Sequence, residues 1–95
     1  MEMNYQDLAR AARNGELPDD FDQWSLADKD GWTLAHTAAV HGHLPEGFDQ
    51  WGLKDKTGKT AAHIAAIYGN LPEGFNQWDL KDNAGLSVRE VKRIN

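Results

Sequence analysis

Apolar residues recur along this chain at helical spacing, in short bursts separated by polar turns. In the stretch Asn4 to Asn14, Leu8, Ala11 and Ala12 fall three and four positions apart, the period of one helical face. Asn4 stands where an N-cap belongs, Asp7 in the first turn, and Gly15 just past the end, where a left-handed residue closes a helix. The same signals predict helices over Leu34 to His41 behind Thr33, and over Ala61 to Tyr68 behind Thr60. Gly42 and Gly69 end them. Their apolar faces are Ala35, Ala38, Ala39 and Ala62, Ala65, Ala66, small enough to let neighbouring helices approach closely. Ser87 takes the cap position before a last helix.

A second burst follows each of the first three helices. Leu17, Phe21 and Trp24 lie at i, i+4 and i+7, and so do Leu44, Phe48, Trp51 and Leu71, Phe75, Trp78. That spacing is a single helical face, and Pro18, Pro45 and Pro72 suit a first helical position. The pattern predicts a second, short helix of about two turns in each unit, although Gly47 and Gly74 inside it each cost about 1 kcal/mol relative to alanine. Asp19, Asp20, Glu46 and Glu73 follow the prolines and compensate the positive end of such a helix. Next comes Trp-x-Leu-x-Asp-x-x-Gly, at Trp24 to Gly31, Trp51 to Gly58 and Trp78 to Gly85. Asp28, Asp55 and Asp82 are placed to bond backbone N–H groups two residues on, and a glycine closes each turn. A hairpin-like turn between units is expected.

All of these positions are separated by 27 residues: Gly31, Gly58 and Gly85, or Trp24, Trp51 and Trp78. A period of about 20–50 residues points to a stacked array in which each unit buries its apolar face against its neighbours. The expected fold is all-α, a single domain over residues 1–95, with units at roughly 4–30, 31–57 and 58–84 and a capping helix in 85–95. In that last helix Lys92 and Arg93 replace the alanine pair, giving the polar outer face that a terminal repeat needs. The first unit is also atypical, with Arg10 and Arg13 on its helix.

Composition narrows the classes of function. There is no cysteine, so neither disulfides nor a thiolate metal site supports the core. A net charge of −5, from 10 basic and 15 acidic residues, disfavours non-specific nucleic-acid binding and an anionic membrane surface. No signal-peptide pattern and no membrane-spanning run is present, so a cytoplasmic location is expected.

Asp28-Lys29-Asp30-Gly31-Trp32-Thr33, followed by His36-Thr37-Ala38-Ala39-Val40-His41-Gly42-His43, resembles the ankyrin repeat. The likeness recurs in Asp55 to Thr60 with His63-Ile64-Ala65-Ala66-Ile67-Tyr68-Gly69-Asn70. The family pattern is D-x-x-G-x-T-P-L-H-x-A-A-x-x-G-H. This chain departs from it at the proline, replaced by Leu34 and Ala61, and in its period of 27 rather than about 33 residues. The resemblance implies an ankyrin-like solenoid of helix–helix–turn repeats, shortened in the second helix, and a protein-binding scaffold without catalysis. It implies that His36 and His63 tie successive units together. It further implies contacts from the turn tips and the exposed side of the first helix. Here those positions are Lys29, Asp30, Trp32, Val40 and His41, then Lys56, Thr57, Lys59, Ile67 and Tyr68, then Asn83, Ala84 and Leu86.

Residues that the architecture demands should recur at each step, and residues free to serve a partner should differ. Trp32 is the one tryptophan of four outside the period. Its row runs Tyr5, Trp32, Lys59, Leu86, and an exposed aromatic there is a typical interface anchor; its plainer role is to cover a neighbouring turn. His41 and Tyr68 are either contact residues or a half-exposed helix face. His36, His41 and His43 lack the convergent four-ligand spacing of a zinc site, so no metal and no cofactor is expected. Thr33, His36 and Asp30 each have a structural task, no Gly-rich phosphate loop is present, and no enzyme is expected. The functional expectation is a small adaptor or inhibitor that binds one protein partner. The alternatives are a homodimer or assembly subunit, and an acidic mimic that occupies a nucleic-acid-binding protein.

Overall fold

The structure, a computed structural model, describes residues 4–18, 20–45 and 47–94. Asp19, Glu46 and Asn95 therefore lie outside the described residues, as do the side chains of Lys92 and Arg93 on which the expected cap face rests. Among the described residues four helices form: α1 (Tyr5–Asn14), α2 (Leu34–His41), α3 (Ala61–Ile67) and α4 (Val88–Ile94). Among the described residues there is no strand, only isolated antiparallel bridges at Ala27–Thr33, Lys54–Thr60 and Lys81–Ser87. Helix packs on helix in chain order, α1 on α2, α2 on α3 and α3 on α4. The longest dimension is 42 Å, about what four side-by-side helices give at an interaxial distance of roughly 10 Å.

The helix ends explain why this sequence is helical where it is. Asn4, Thr33 and Thr60 each accept, on the side chain, the N–H of the residue three further on, and Ser87 Oγ does the same for Glu90. In α2, α3 and α4, further first-turn N–H groups are met by carbonyls of the preceding segment. Leu34 and Ala35 donate to Leu26 and Trp24, at 2.9 and 3.2 Å. Ala61 and Ala62 donate to Leu53 and Trp51, and Val88 and Arg89 to Leu80 and Trp78, in the same geometry. The recurrent Trp-x-Leu spacing is thus a backbone requirement, since these carbonyls satisfy donors that every helix start leaves open. At the other ends, Gly15, Gly42 and Gly69 have φ near +73°, and the next residue's N–H returns to the helix: Glu16 to Ala11, His43 to Ala38 and Asn70 to Ala65.

Among the described residues the predicted second helices are absent. In their place are two successive turns, closed by Phe21 N–H to the Pro18 carbonyl and Leu26 N–H to that of Gln23, with the same pairs at Pro45–Phe48, Gln50–Leu53, Pro72–Phe75 and Gln77–Leu80. In the second and third units the reason is local. Gly47 and Gly74 have φ of +83° and +87°, a conformation that cannot continue a right-handed helix and that suits the third residue of a turn. Each unit therefore holds one helix, two turns and a hairpin, rather than two helices.

The turns still point Leu, Phe and Trp at the core. Trp24 and Trp51 are buried and Trp78 half-buried. Six rings form one edge-to-face ladder in the order Phe21, Trp24, Phe48, Trp51, Phe75, Trp78, with centroids 4.9 to 5.7 Å apart and planes within a few degrees of perpendicular. Edge-to-face contact is the arrangement that ring quadrupoles favour, at about 0.5–1.5 kcal/mol per pair beyond area burial. The ladder crosses from unit to unit at Trp24–Phe48 and Trp51–Phe75, so its rings bind the stack along its length.

Candidate interaction surface

The three hairpins share one construction. The Asp28 carboxylate accepts the N–H groups of Asp30 and Trp32 at 2.9 and 3.0 Å. Asp55 accepts those of Thr57 and Lys59 together with the Thr57 hydroxyl, and Asp82 accepts those of Ala84 and Leu86. Burial pushes the Asp55 carboxyl up, but the Thr57 hydroxyl and the Lys59 and Thr57 N–H groups outweigh it and hold the group below its ordinary range. Asp82 behaves alike: burial raises it, and the N–H groups of Leu86 and Ala84, with His63 and Lys59 nearby, bring it below. The aspartates are thereby committed to the turns, and the residues between each aspartate and glycine are left at the tips.

Two buried histidines connect the hairpins to the helices. His36 Nδ1 lies 2.6 Å from Thr33 Oγ1, and its Nε2 lies 2.8 Å from the Lys59 carbonyl of the next unit. His63 repeats this with Thr60 and the Leu86 carbonyl. A carbonyl oxygen only accepts, so Nε2 carries the proton and Nδ1 accepts from the threonine hydroxyl. Burial pushes the His36 pKa below its ordinary value, against the opposing pull of the Lys59 carbonyl and the Asp55 charge. These residues have the inter-unit role that the resemblance implies.

The structure places the sequence-derived contact residues as follows. Lys29, Asp30, Lys56, Thr57 and Asn83, with Ala84, are exposed at the hairpin tips. Adjacent tips are bonded, with the Lys56 N–H donating to the Asp30 carbonyl at 3.1 Å. His41 is exposed at the end of α2, beside half-buried Val40, and Ile67 and Tyr68 are exposed at the end of α3, Tyr68 to 55%. Trp32 is half-buried: its indole N–H donates to Thr37 Oγ1 at 2.9 Å, its ring lies 4.9 Å from that of His36, and its carbonyl accepts the Tyr5 hydroxyl at 2.7 Å. It covers the first turn of α2 and presents its remaining surface beside the tips. Lys59 is half-buried, 3.8 Å from the Asp82 carboxylate, and Leu86 is half-buried.

Asn70 was not singled out by its sequence position, yet its amide donates to both the Ala39 and Val40 carbonyls, at 2.9 and 3.1 Å, and closes the end of α2 from the next unit. Its signal was register: Glu16, His43 and Asn70 each follow a helix-ending glycine. The His43 ring lies over Gly15 as the Asn70 amide lies over Gly42.

No protein-family model matches this chain, and no curated protein matches it. Among the described residues, no group of three or more His, Asp or Glu is arranged to hold a metal ion, and no helix is long and apolar enough to cross a membrane.

Proposed function

We propose that this chain is a protein-interaction module built as an ankyrin-like solenoid, and that it acts as a small cytoplasmic adaptor or inhibitor of one protein partner without catalysis of its own. The observation that carries the reading is how variation between units is distributed. Positions that recur at each step of 27 are the rings of the ladder and the turn aspartates, and the capping threonines and bonded histidines recur from the second unit to the third. Positions that differ include Asp30, Thr57 and Ala84 in one row and His41 and Tyr68 in another, and these are exposed at the hairpin tips and helix ends. A surface varied on a fixed frame is what a repeat scaffold uses for recognition, and Tyr68 has the size and polarity of an interface anchor.

A photo-crosslinking amino acid placed at Tyr68, with Ser25 as the comparison site, tests this in lysate of the source cell. A single discrete adduct from position 68 and none from position 25 is the expected result. Adducts from position 25 alone would overturn the assignment of the surface. An adduct of twice the chain's own mass, with a concentration-dependent size in light scattering, would replace the proposal with a homodimer.

A further inference from the structure

Each joint of the stack joins the trailing face of one unit to the leading face of the next. On the leading face of the second unit, Phe48 meets Trp24 of the first at 5.7 Å, and the His43 ring lies over Gly15. On that of the third, Phe75 meets Trp51 at 5.2 Å, and the Asn70 amide lies over Gly42. One step of 27 back takes Phe48 to Phe21, Pro45 to Pro18, Leu44 to Leu17 and His43 to Glu16. These four residues, with Leu8 and Ala11, line an open groove of about 500 Å³ at the outer end of the first unit. The groove is therefore a leading face, and among the described residues no unit stands on it. Phe21 meets one ring, that of Trp24, where Phe48 and Phe75 each meet two. A terminal unit ordinarily turns a polar face outward, but this one keeps the leucine, proline and phenylalanine of an interior joint.

The covered joints show what such a face receives. Each takes a buried tryptophan edge-to-face on its phenylalanine, the arrangement that ring quadrupoles favour. Glu16 shows how the partner of the open face differs from a unit of the stack. Its counterpart Asn70 donates to the Ala39 and Val40 carbonyls and so closes the preceding helix. A carboxylate only accepts, so Glu16 cannot close a helix end and calls instead for a donor or a cation. It is exposed, its Oε1 is 3.4 Å from Asn14 Nδ2, and it belongs to no ion pair among the described residues. Asp20 and Asp22 are exposed on the same turns, and the segment 15–27 holds four acidic residues and no lysine or arginine. A second copy cannot continue the ladder from Trp78, because α4 already stands on α3 in the helix row where α1 of that copy would have to lie. We propose that the outer groove of the first unit docks a tryptophan of a partner protein, seated edge-to-face on Phe21 and flanked by a lysine or arginine that pairs with Glu16. The acidic turns draw such a segment in. This surface is separate from the hairpin tips, and it stands or falls apart from them.

The test titrates the whole chain, labelled with nitrogen-15, with three peptides at low salt: Ser-Lys-Ala-Trp-Ala-Lys-Ser, its Trp→Ala form, and its form with both lysines replaced by glutamate. The first is expected to shift the amide resonances of Leu17 and Phe21 in the millimolar range or below, and to weaken with salt. The peptide without tryptophan and the acidic peptide should each bind about tenfold more weakly or worse. In the protein, Phe21→Leu keeps the groove apolar without its ring and should lose about fivefold. Glu16→Asn should lose about threefold, as one exposed ion pair implies. Asparagine is compatible with the fold at position 16, since Asn70 occupies the same place two units on. The proposal is overturned by equal binding of the peptides with and without tryptophan, by equal binding of the basic and acidic peptides, or by unchanged affinity of Glu16→Asn. Amide shifts confined to the hairpin tips, or none at 5 mM peptide (about the weakest binding worth a site), also overturn it. Shifts of Leu17 and Phe21 that follow protein concentration without peptide, with a growing size in light scattering, would replace the partner with a second copy.

Discussion

Replacing His63 by alanine should loosen the attachment of the last helix more than any exposed substitution can. His63 is completely buried, and its ring bonds two groups at once: the hydroxyl of buried Thr60 and the carbonyl of Leu86. Removing the ring leaves the Thr60 hydroxyl without an acceptor, while the Leu86 carbonyl keeps only the Asp82 N–H. A buried unsatisfied donor costs about 1–3 kcal/mol and the lost carbonyl bond about 1 kcal/mol, so a total of about 3 kcal/mol is expected. A chain of this length has about 5–14 kcal/mol in all. Urea unfolding followed by tryptophan fluorescence and by far-ultraviolet circular dichroism should show the midpoint falling by about 1–2 M at ordinary slopes. The exposed His41→Ala variant serves as the comparison, within about 0.5 kcal/mol of the parent. Thr60→Val combined with His63→Ala removes the orphaned hydroxyl, so the double variant should lose less than the sum of the singles, by about 1 kcal/mol. A His63→Ala midpoint indistinguishable from that of His41→Ala would refute the assignment of His63 as the inter-unit bond.

Gly74→Ala separates the turn from the predicted helix by sign. An alanine in a helix interior would stabilise by about 1 kcal/mol, whereas at φ +87° it should destabilise by about 1–2 kcal/mol, and thermal melting decides between them. Asn70→Ala should lower stability by about 1–2 kcal/mol through its two carbonyl bonds, while His43→Asn, which brings the same amide to the end of α1, should raise the melting temperature. Stability should also fall in acid in two steps. Because the folded pKa of His36 is lowered, the unfolded chain binds the extra proton, so this contribution is complete above about pH 6.5 and is lost as pH falls below it. Asp55 and Asp82, also lowered, add a loss that begins near about pH 4. Melting temperatures of the parent and of His36→Gln across pH 3–8 check both steps, and the variant should keep only the lower one.

The single helices, their caps and their glycine ends were legible residue by residue, because the signals are local: a short polar acceptor before an apolar face, and a glycine after it. The hairpins were legible for the same reason. The paired turns were not. Leu, Phe and Trp at i, i+4 and i+7 also face one way in a chain of two successive turns, so periodicity alone could not separate that from a helix. The glycines at positions 47 and 74 held the answer, but as a conformational sign rather than a propensity penalty. Asn70 and the half-burial of Trp32 depend on contacts 27 or more residues away, and no local pattern reports them. The hairpin tips of the candidate surface followed from the resemblance to the ankyrin repeat.

The carbonyls of Trp24 and Leu26 that begin α2, and their counterparts before α3 and α4, give the chain a direction. Each of these three helices starts on a template that the segment before it has already laid down. Removing the last unit strips a finished surface and leaves every earlier start intact. Removing the first exposes the opening N–H groups of α2 to water. A whole 27-residue block inserted at a hairpin would inherit a start and supply one, so an array of this kind can lengthen by duplication without any residue changing its partner type. An insertion that is not a whole number of such blocks would shift the template carbonyls out of register with the helix start.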